Sequence, residues 1–241
     1  MTVQVLQRDS EMKQARRELR RRGLSHVSSL PLRWSRKIRR RLGLAAGVDV
    51  GDVIKSWDVW QAVKWIEQRL RKDTPILDIG AYASEILCVL HRLGYTSLTG
   101  VDLDPRLPQM PYARDIRWQV ADFMHTPFAD RSFGAITAIS VIEHGFQSEA
   151  LLSEISRLLR PGGCFIASFD YWPEKLDTSG VKLFGMDWRI FSRAEVMQFL
   201  DDARRHGLEP WGEVSLDAIS PPILWGGRRY TFALAALEKR A

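Results

Sequence analysis

Five acidic residues recur along the chain at the ends of short apolar runs, and each is of a type that can hold a polar ligand. Asp78 closes the run Pro75-Ile76-Leu77 and is followed by Ile79-Gly80-Ala81-Tyr82-Ala83-Ser84. Gly80 permits a turn that a side chain would obstruct, which brings backbone N–H groups close to a ligand. Asp102 stands 24 residues after Asp78, where a carboxylate suits hydrogen bonds from ribose hydroxyls. Asp122-Phe123 supplies a third carboxylate and an aromatic face for a purine ring. The run ending in Ser140-Val141-Ile142 is followed by Glu143 and His144. An imidazole titrates near neutrality, so His144 is the first candidate for a general base, with Glu143 to orient it, cap the following turn or touch a cofactor. Asp170 and Tyr171 follow a fifth apolar run and are candidates for contact with a second substrate. Taken singly, an Asp at such a place is more often a cap and a lone His more often a structural hydrogen-bonder. Their order and spacing together carry the argument.

The elements that must position these residues alternate regularly. Trp57 to Leu70 has the apolar periodicity of an amphipathic helix. Strands are expected in PILDIG at 75–80, broken by Gly80, in SLTGVD at 97–102, and near 116–121, 134–141 and 164–169. Helices are expected over about 83–93, ending at Gly94, and over about 148–160. A further helix over 192–206 opens on Ser192 with Glu195 three residues on, a capping box, and stops at Gly207. Two apolar segments, 211–217 and 230–238, close the chain. Strand–helix alternation with short connections specifies an α/β, doubly wound, Rossmann-like sheet covered by helices on both faces. In such sheets ligands bind beyond the carboxyl ends of the strands, near the point where strand order reverses. That is where the five acids fall.

With these residues in place, the segment from about 75 to 206 resembles the class I S-adenosylmethionine-dependent methyltransferases, particularly the broad type 11-like group acting on small molecules. Asp78 and Gly80 match that family's D-x-G-x-G-x-G loop. Asp102 matches its ribose-binding acid, and Asp122 with Phe123 matches the pair at the adenine. TPFADRSFGAITAISVIEH resembles the strand-four signature, LLSEISRLLRPGG the helix and turn before strand five, and FSRAEV the start of a late helix. The resemblance implies a seven-stranded, mostly parallel sheet whose last strand is antiparallel, with 211–217 and 230–238 as strands six and seven. It implies S-adenosylmethionine as cofactor and S-adenosylhomocysteine as product. Cofactor contacts are implied at Asp78, Gly80, Ala81, Tyr82, Asp102, Leu103, Asp122, Phe123 and Ser140, with no metal. The sequence departs from the pattern at Tyr82 and Ser84, where the loop has its second and third glycines, and at Gly134, where Asp is usual. Tyr82 must point away from the cofactor or cover it. Methyl transfer to a small-molecule or glycan acceptor, at a hydroxyl, is the expected activity. The aromatic-rich stretch 171–191 reads as a lid or acceptor wall.

The whole chain carries a net charge of +6, but residues 1–45 alone hold thirteen Lys/Arg against three acids. Residues 46–241 are therefore net acidic, and the basic character belongs to an N-terminal extension, expected as two helices or a partly solvated arm. Leu30, Leu32, Trp34, Ile38 and Leu42 lie at roughly helical spacing between its basic residues, which suits an anionic membrane surface or a protein partner. An RNA or protein methyltransferase using this arm is a second reading. Nucleic acid is disfavoured, because the remaining chain is acidic and lacks a basic stripe interleaved with aromatics. A catalytically inactive cofactor-binding subunit is a third reading, and a homo-oligomer stays open. A nicotinamide dehydrogenase would need G-x-G-x-x-G, whereas this loop has a single glycine. Cys88 and Cys164 sit in apolar runs and read as buried thiols of a reducing compartment. No apolar run reaches the roughly 20 residues that span a bilayer, so a cytoplasmic protein is expected, with the arm as its means of touching the inner face of a membrane.

Overall fold

The computed structural model describes residues 3–44 and 47–240. The first of these already alternate: Val3 and Val5 are buried around Gln4 in strand β1 (Val3–Val5). In helix α1 (Asp9–Arg21), Met12, Ala15, Arg16 and Leu19 are buried along one face, at the spacing of three and four that a helix requires. In helix α2 (Leu30–Arg41) the described side chains are exposed, apart from half-buried Arg36. Helix α3 (Ser56–Arg69) buries Trp57, Val59, Ala62, Val63 and Ile66 and packs against α1.

Then come strand β2 (Ile76–Ile79), helix α4 (Ile86–Arg92), strands β3 (Leu98–Asp102), β4 (Ile116–Val120) and β5 (Phe133–Ile139), and helix α5 (Ser148–Leu158). Strand β6 (Leu159–Tyr171) leads into the small hairpin β7 (Lys182–Leu183) and β8 (Met186–Asp187). Helix α6 (Arg193–Arg205) and strands β9 (Leu208–Pro210), β10 (Ile223–Trp225) and β11 (Arg228–Lys239) complete the chain. Helix α6 begins as its sequence demands: Ser192 Oγ accepts from Glu195 N–H, and Glu195 accepts from Ser192 N–H.

The sheet runs β1-β11-β6-β5-β2-β3-β4, with β2 to β6 parallel and β11 antiparallel to β6. Strand order reverses between β2 and β5, so the crevice lies beyond Ile79 and Ile139. Side-chain alternation splits the core in two. Ile76, Ile166 and Phe232 join α1, α3 and α4 on one face, while Leu77, Phe165 and Phe169 join α5 and α6 on the other.

Two expectations are corrected at the sheet edge. Residues 211–217 do not form strand six. The edge beside β11 is shared by β9 on Leu237–Lys239, β1 on Ala233–Ala235 and β10 on Arg228–Tyr230. The N-terminal strand has inserted between β11 and the 213–215 segment, which it bonds from its other side: Val3 N–H donates to Glu213 O at 3.3 Å, and Ser215 N–H to Val3 O at 3.0 Å. The described part of the N-terminal extension, residues 3–44, is likewise not an arm set wholly apart from the core. Val3, Leu6, Leu19 and Leu24 are at most 3% exposed and belong to the core, leaving only the α2 region outside it. The sequence obscured this because α1 is so basic that its buried stripe of four positions reads as a solvated face.

Candidate active site

At the carboxyl end of β2 the chain turns at Gly80, whose φ is +66° and whose Cβ, if it had one, would lie 2.4 Å from Val141 Cγ2. The turn aims the Tyr82 N–H at Asp102, which accepts it on Oδ2 at 2.9 Å and takes the Asp104 N–H on Oδ1 at 2.8 Å. Asp102 is thus held by two backbone donors and keeps lone pairs for a ligand hydroxyl. Asp78 is buried beneath the loop. Its Oδ1 accepts from Thr137 Oγ1 at 2.7 Å, and its Oδ2 has no partner among the described residues. Burial pushes Asp78 up to about 7, against the pull of the Thr137 hydroxyl. Ser140 closes β5 with φ +53°, a left-handed backbone uncommon outside glycine, and its Oγ is also buried without a partner among the described residues. Leu103 is exposed beside Asp102 and Phe123 is half-buried beside Asp122, whose Oδ1 accepts the Met124 N–H at 2.8 Å. Ala81 is fully buried against Val48, Val50, Leu107 and Met110. The Tyr82 ring packs towards that cluster, with the Arg106 guanidinium 4.6 Å from its centroid.

On the other side of the crevice lies a second group of charges, half of which the sequence did not announce. Lys55 and Asp58 come from the start of α3, Glu143 follows β5, and Asp170 ends β6. Asp58, Glu143 and Asp170 are 0%, 1% and 4% exposed, so three carboxyl groups are buried around one ammonium. The Lys55 Nζ is 3.6 Å from Asp170 Oδ1 and 3.8 Å from the centroid of Phe232. Both Asp58 oxygens, Glu143 Oε2 and Asp170 Oδ1 lack a hydrogen-bond partner among the described residues. Burial pushes Asp58 up to about 7, tempered by Lys55. Burial and then Asp170 raise Glu143 well above the usual carboxylate range, and burial raises Asp170. Burial works against the Lys55 ammonium, but Asp170, Asp58 and Glu143 together raise its pKa. A readable signal for Asp58 was its place in the helix: it shares a face with Ala62 and Ile66, both core residues, where an acid needs a reason to be.

A family model described as a methyltransferase domain matches residues 77–167. The demethylmenaquinone methyltransferase of Tropheryma whipplei is 32% identical over 92 residues, covering 36% of this chain and 38% of that protein. The chain therefore spans under two fifths of that relative's length. Among solved structures, the geranyl diphosphate C-methyltransferase from Streptomyces coelicolor, in complex with Mg2+, geranyl diphosphate and S-adenosyl-L-homocysteine, superposes with a TM-score of 0.55 at 18% identity over 74% of this chain and 78% of that one. The Burkholderia thailandensis 1,6-didemethyltoxoflavin-N1-methyltransferase gives 0.55 at 18% identity, over 76% and 79%. Residues 77–167 are thus similar to a methyltransferase domain, and the chain shares its fold with solved S-adenosylmethionine-dependent methyltransferases.

The residues present fit the family's cofactor. Asp78 Oδ2 and Ser140 Oγ are buried, unpartnered and on neighbouring strand ends, and Asp102 is already oriented by the loop. The departures are accommodated. Tyr82 gives the loop its N–H and turns its ring aside, while Ala83 takes up the left-handed conformation at φ 63°. At Gly134 a Cβ would sit 2.5 Å from Thr74 Cγ2, which accounts for the missing Asp side chain.

The remaining expected site residues divide. His144 is at the crevice, but burial and then Lys55 lower it to about 4, so it is neutral at physiological pH rather than titrating there. Its ring meets Phe184 edge-on at 5.4 Å, and its Nδ1 has no partner among the described residues. Tyr171 does not join Asp170: successive strand side chains face opposite ways, and its hydroxyl donates to Leu216 O at 2.6 Å inside the α5/α6 core. The 171–191 stretch folds back onto the segment that follows β5. Gly145 N–H donates to Asp187 O and Arg189 N–H to Glu143 O, each at 2.9 Å. A cavity of about 530 Å³ lies between this stretch and the segment after Glu143, lined by Phe146, Lys175, Thr178, Trp188 and Arg189 among others. Trp188 Nε1 donates to Asp170 Oδ2 at 2.8 Å, which joins the cavity wall to the buried charges.

Proposed function

We propose that this chain transfers a methyl group from S-adenosylmethionine to a hydroxyl of a small-molecule or sugar acceptor held under the 171–191 stretch. The observation that carries the reading is the buried, hydrogen-bond-poor group of Asp58, Glu143 and Asp170 around Lys55. Burying three carboxyls with one cation is costly unless a ligand completes the arrangement. On this reading Asp78, Ser140, Asp102 and Asp122 hold the cofactor, with Gly80, Ala81 and Tyr82 shaping the loop and Leu103 and Phe123 walling the base. The cofactor supplies an electrophilic methyl group for in-line displacement. The chain's own task is to align the acceptor, exclude water and accept one proton.

Asp58 is the group for that proton. Its pKa near 7 matches the operating pH, which is where a general base works best. Glu143, whose pKa burial and Asp170 raise, contacts the acceptor with the oxygen that has no partner among the described residues. Lys55, 3.6 Å away, works against the burial that raises Asp170, and Asp170 fixes Trp188 in the acceptor wall. His144 accepts a hydrogen bond as a neutral imidazole. The cavity volume falls within the range of small-ligand sites, and no strongly basic groove is needed.

Calorimetric titration with S-adenosylmethionine, S-adenosylhomocysteine and NAD tests the first half. Binding of the first two and not the third is expected, and preferential NAD binding ends the reading. Incubation of the full chain with labelled cofactor and a panel of polyol, phenol and amine acceptors tests the second. Cofactor binding with no transfer to any acceptor would favour an inactive subunit.

A further inference from the structure

Helix α2, which buries none of its described side chains, presents exposed apolar and basic residues together. Trp34, Ile38 and Leu42 are four residues apart, so they stack on one face of the helix, and they are 72%, 46% and 67% exposed. Leu32 and Leu44 add 43% and 53% exposed apolar side chains at its ends. No acidic residue occurs between Glu18 and Asp49, whereas Arg33, Lys37 and Arg41 are exposed along the helix.

The helix is also held with a defined face outward. Arg36 Nη1 donates to Asp49 Oδ1 at 2.9 Å and to Ser28 Oγ at 2.7 Å, which ties that side of α2 to the chain around it. At about 100° per residue, Arg36 lies roughly 160° from the centre of the Trp34–Ile38–Leu42 stripe. Anchoring Arg36 therefore turns the apolar stripe to solvent. Downstream, Val48 and Val50 are buried beside Ala81, and Gly51 N–H donates to Ala83 O at 2.8 Å, so the segment that follows α2 ends on the cofactor loop.

We propose that α2 docks this protein on the surface of a bilayer containing anionic phospholipid, with Trp34, Ile38 and Leu42 inserted at the headgroup–acyl boundary and Arg33, Lys37 and Arg41 against the lipid phosphates. A short amphipathic helix with Trp and Leu on one side and Lys/Arg on the other is the form such contacts take. Charge complementarity selects this occupant over the others. A second copy of the helix would bring the basic rims of two stripes together. A nucleic acid would meet the basic side and leave Trp34 in water. Docking would bring the mouth of the cofactor crevice near the membrane, but it does not depend on the acceptor chemistry proposed above.

The test is co-sedimentation of the full chain with phosphatidylcholine vesicles, with and without about 30 mol% phosphatidylglycerol, at low and high salt. Binding to the anionic vesicles that weakens steeply with salt is expected, with little binding to phosphatidylcholine alone. Trp34→Glu with Ile38→Glu should reduce that binding at least tenfold. Arg33→Gln, Lys37→Gln and Arg41→Gln should reduce it about fivefold per charge removed. Thermal unfolding and S-adenosylhomocysteine affinity should be unchanged in both variants, because neither alters a core or crevice residue. No binding to anionic vesicles, equal binding to both compositions, or a dimer in light scattering that Trp34→Glu abolishes would each overturn the proposal. So would binding that survives both variants.

Discussion

The two sides of the crevice are built on opposite terms. On the cofactor side the polar groups are largely satisfied before any ligand arrives: Asp102 holds two backbone N–H groups, Asp122 one, and Asp78 the Thr137 hydroxyl. On the acceptor side Asp58 has no hydrogen bond among the described residues, and Glu143 and Asp170 each leave one oxygen without one. The first side is largely pre-organised to bind and the second is left electrostatically unresolved, and each holds one carboxyl that burial raises to about 7, Asp78 and Asp58. One residue supports both. Arg16 is 3% exposed, pairs with Glu85 at 2.6 Å next to the cofactor loop, and donates to Ser56 Oγ at 2.8 Å between Lys55 and Asp58.

Breaking that common support should have the largest effect. Arg16→Ala strands Glu85, itself 2% exposed, without its cation, at a cost of about 3–5 kcal/mol. Thermal unfolding should move down sharply, and affinity for S-adenosylhomocysteine and turnover should fall together. Deleting residues 1–24 should abolish cooperative unfolding altogether, since Val3, Leu6, Leu19 and Leu24 leave the core at about 1.5–3 kcal/mol each against a total of roughly 5–15. A truncated chain that still melts cooperatively would return these residues to the status of an arm.

The next effects should separate the two sides. Asp58→Asn removes the proposed base and should lower kcat by about 10²–10⁴ while leaving S-adenosylhomocysteine affinity nearly unchanged. It should also remove the limb of the pH–rate profile near 7, which loss of packing alone would not do. Asp102→Ala should do the reverse: it should weaken cofactor affinity about tenfold to a hundredfold, from the loss of charge-assisted hydrogen bonds. Turnover at saturating cofactor should be little changed. If both variants shift both constants equally, the division into two sides is wrong.

The pH dependence of stability sharpens the same contrast. Asp58 and Asp78 have folded pKa values near 7, raised above those of the unfolded chain, so each favours folding in its protonated form. Their contribution is complete below the unfolded carboxylate pKa and is lost as pH rises through about 7. The ligand-free protein should therefore melt lower at pH 8 than at pH 5.5, and Asp58→Asn should flatten that slope. Cofactor affinity should run the other way: if Asp78 must ionise to hold a cationic group, binding should strengthen as pH rises through about 7. A pH-independent affinity would remove Asp78 from the contact.

What the sequence conveyed follows the same line. The parallel strands, the loop and the carboxylates of the cofactor side were readable because each sits at a fixed offset from an apolar run, a local pattern. The acceptor side was readable only where it too follows a strand, at Glu143, His144 and Asp170. Lys55 and Asp58 reach it from a helix before the first parallel strand, through packing that no spacing records. Tyr171 was misplaced because strand alternation turns it to the opposite face from Asp170. The composite edge was missed because three residues at the N-terminus pair with β11, a contact spanning nearly the whole chain.

His144→Ala is the smallest expected effect and the one that most directly divides the reading of the sequence from that of the structure. From its position after β5, His144 was the first candidate for the base, which would put the loss in kcat at about 10²–10⁴. In the folded chain, burial and the Lys55 ammonium lower its pKa to about 4, so the imidazole is available but too weak a base to take a proton efficiently at neutral pH. Its Nδ1 is buried and unpartnered among the described residues, and its ring rests on Phe184, which suits a fixed acceptor of one hydrogen bond. Losing such a contact is worth about 0.5–1.5 kcal/mol, a reduction in kcat/KM of roughly threefold to tenfold. The reduction should fall mainly on acceptor KM, with the pH–rate limb near 7 retained. A drop in kcat of a hundredfold or more, with that limb abolished in His144→Ala and intact in Asp58→Asn, would restore the imidazole as base and leave the carboxyl groups to tune it.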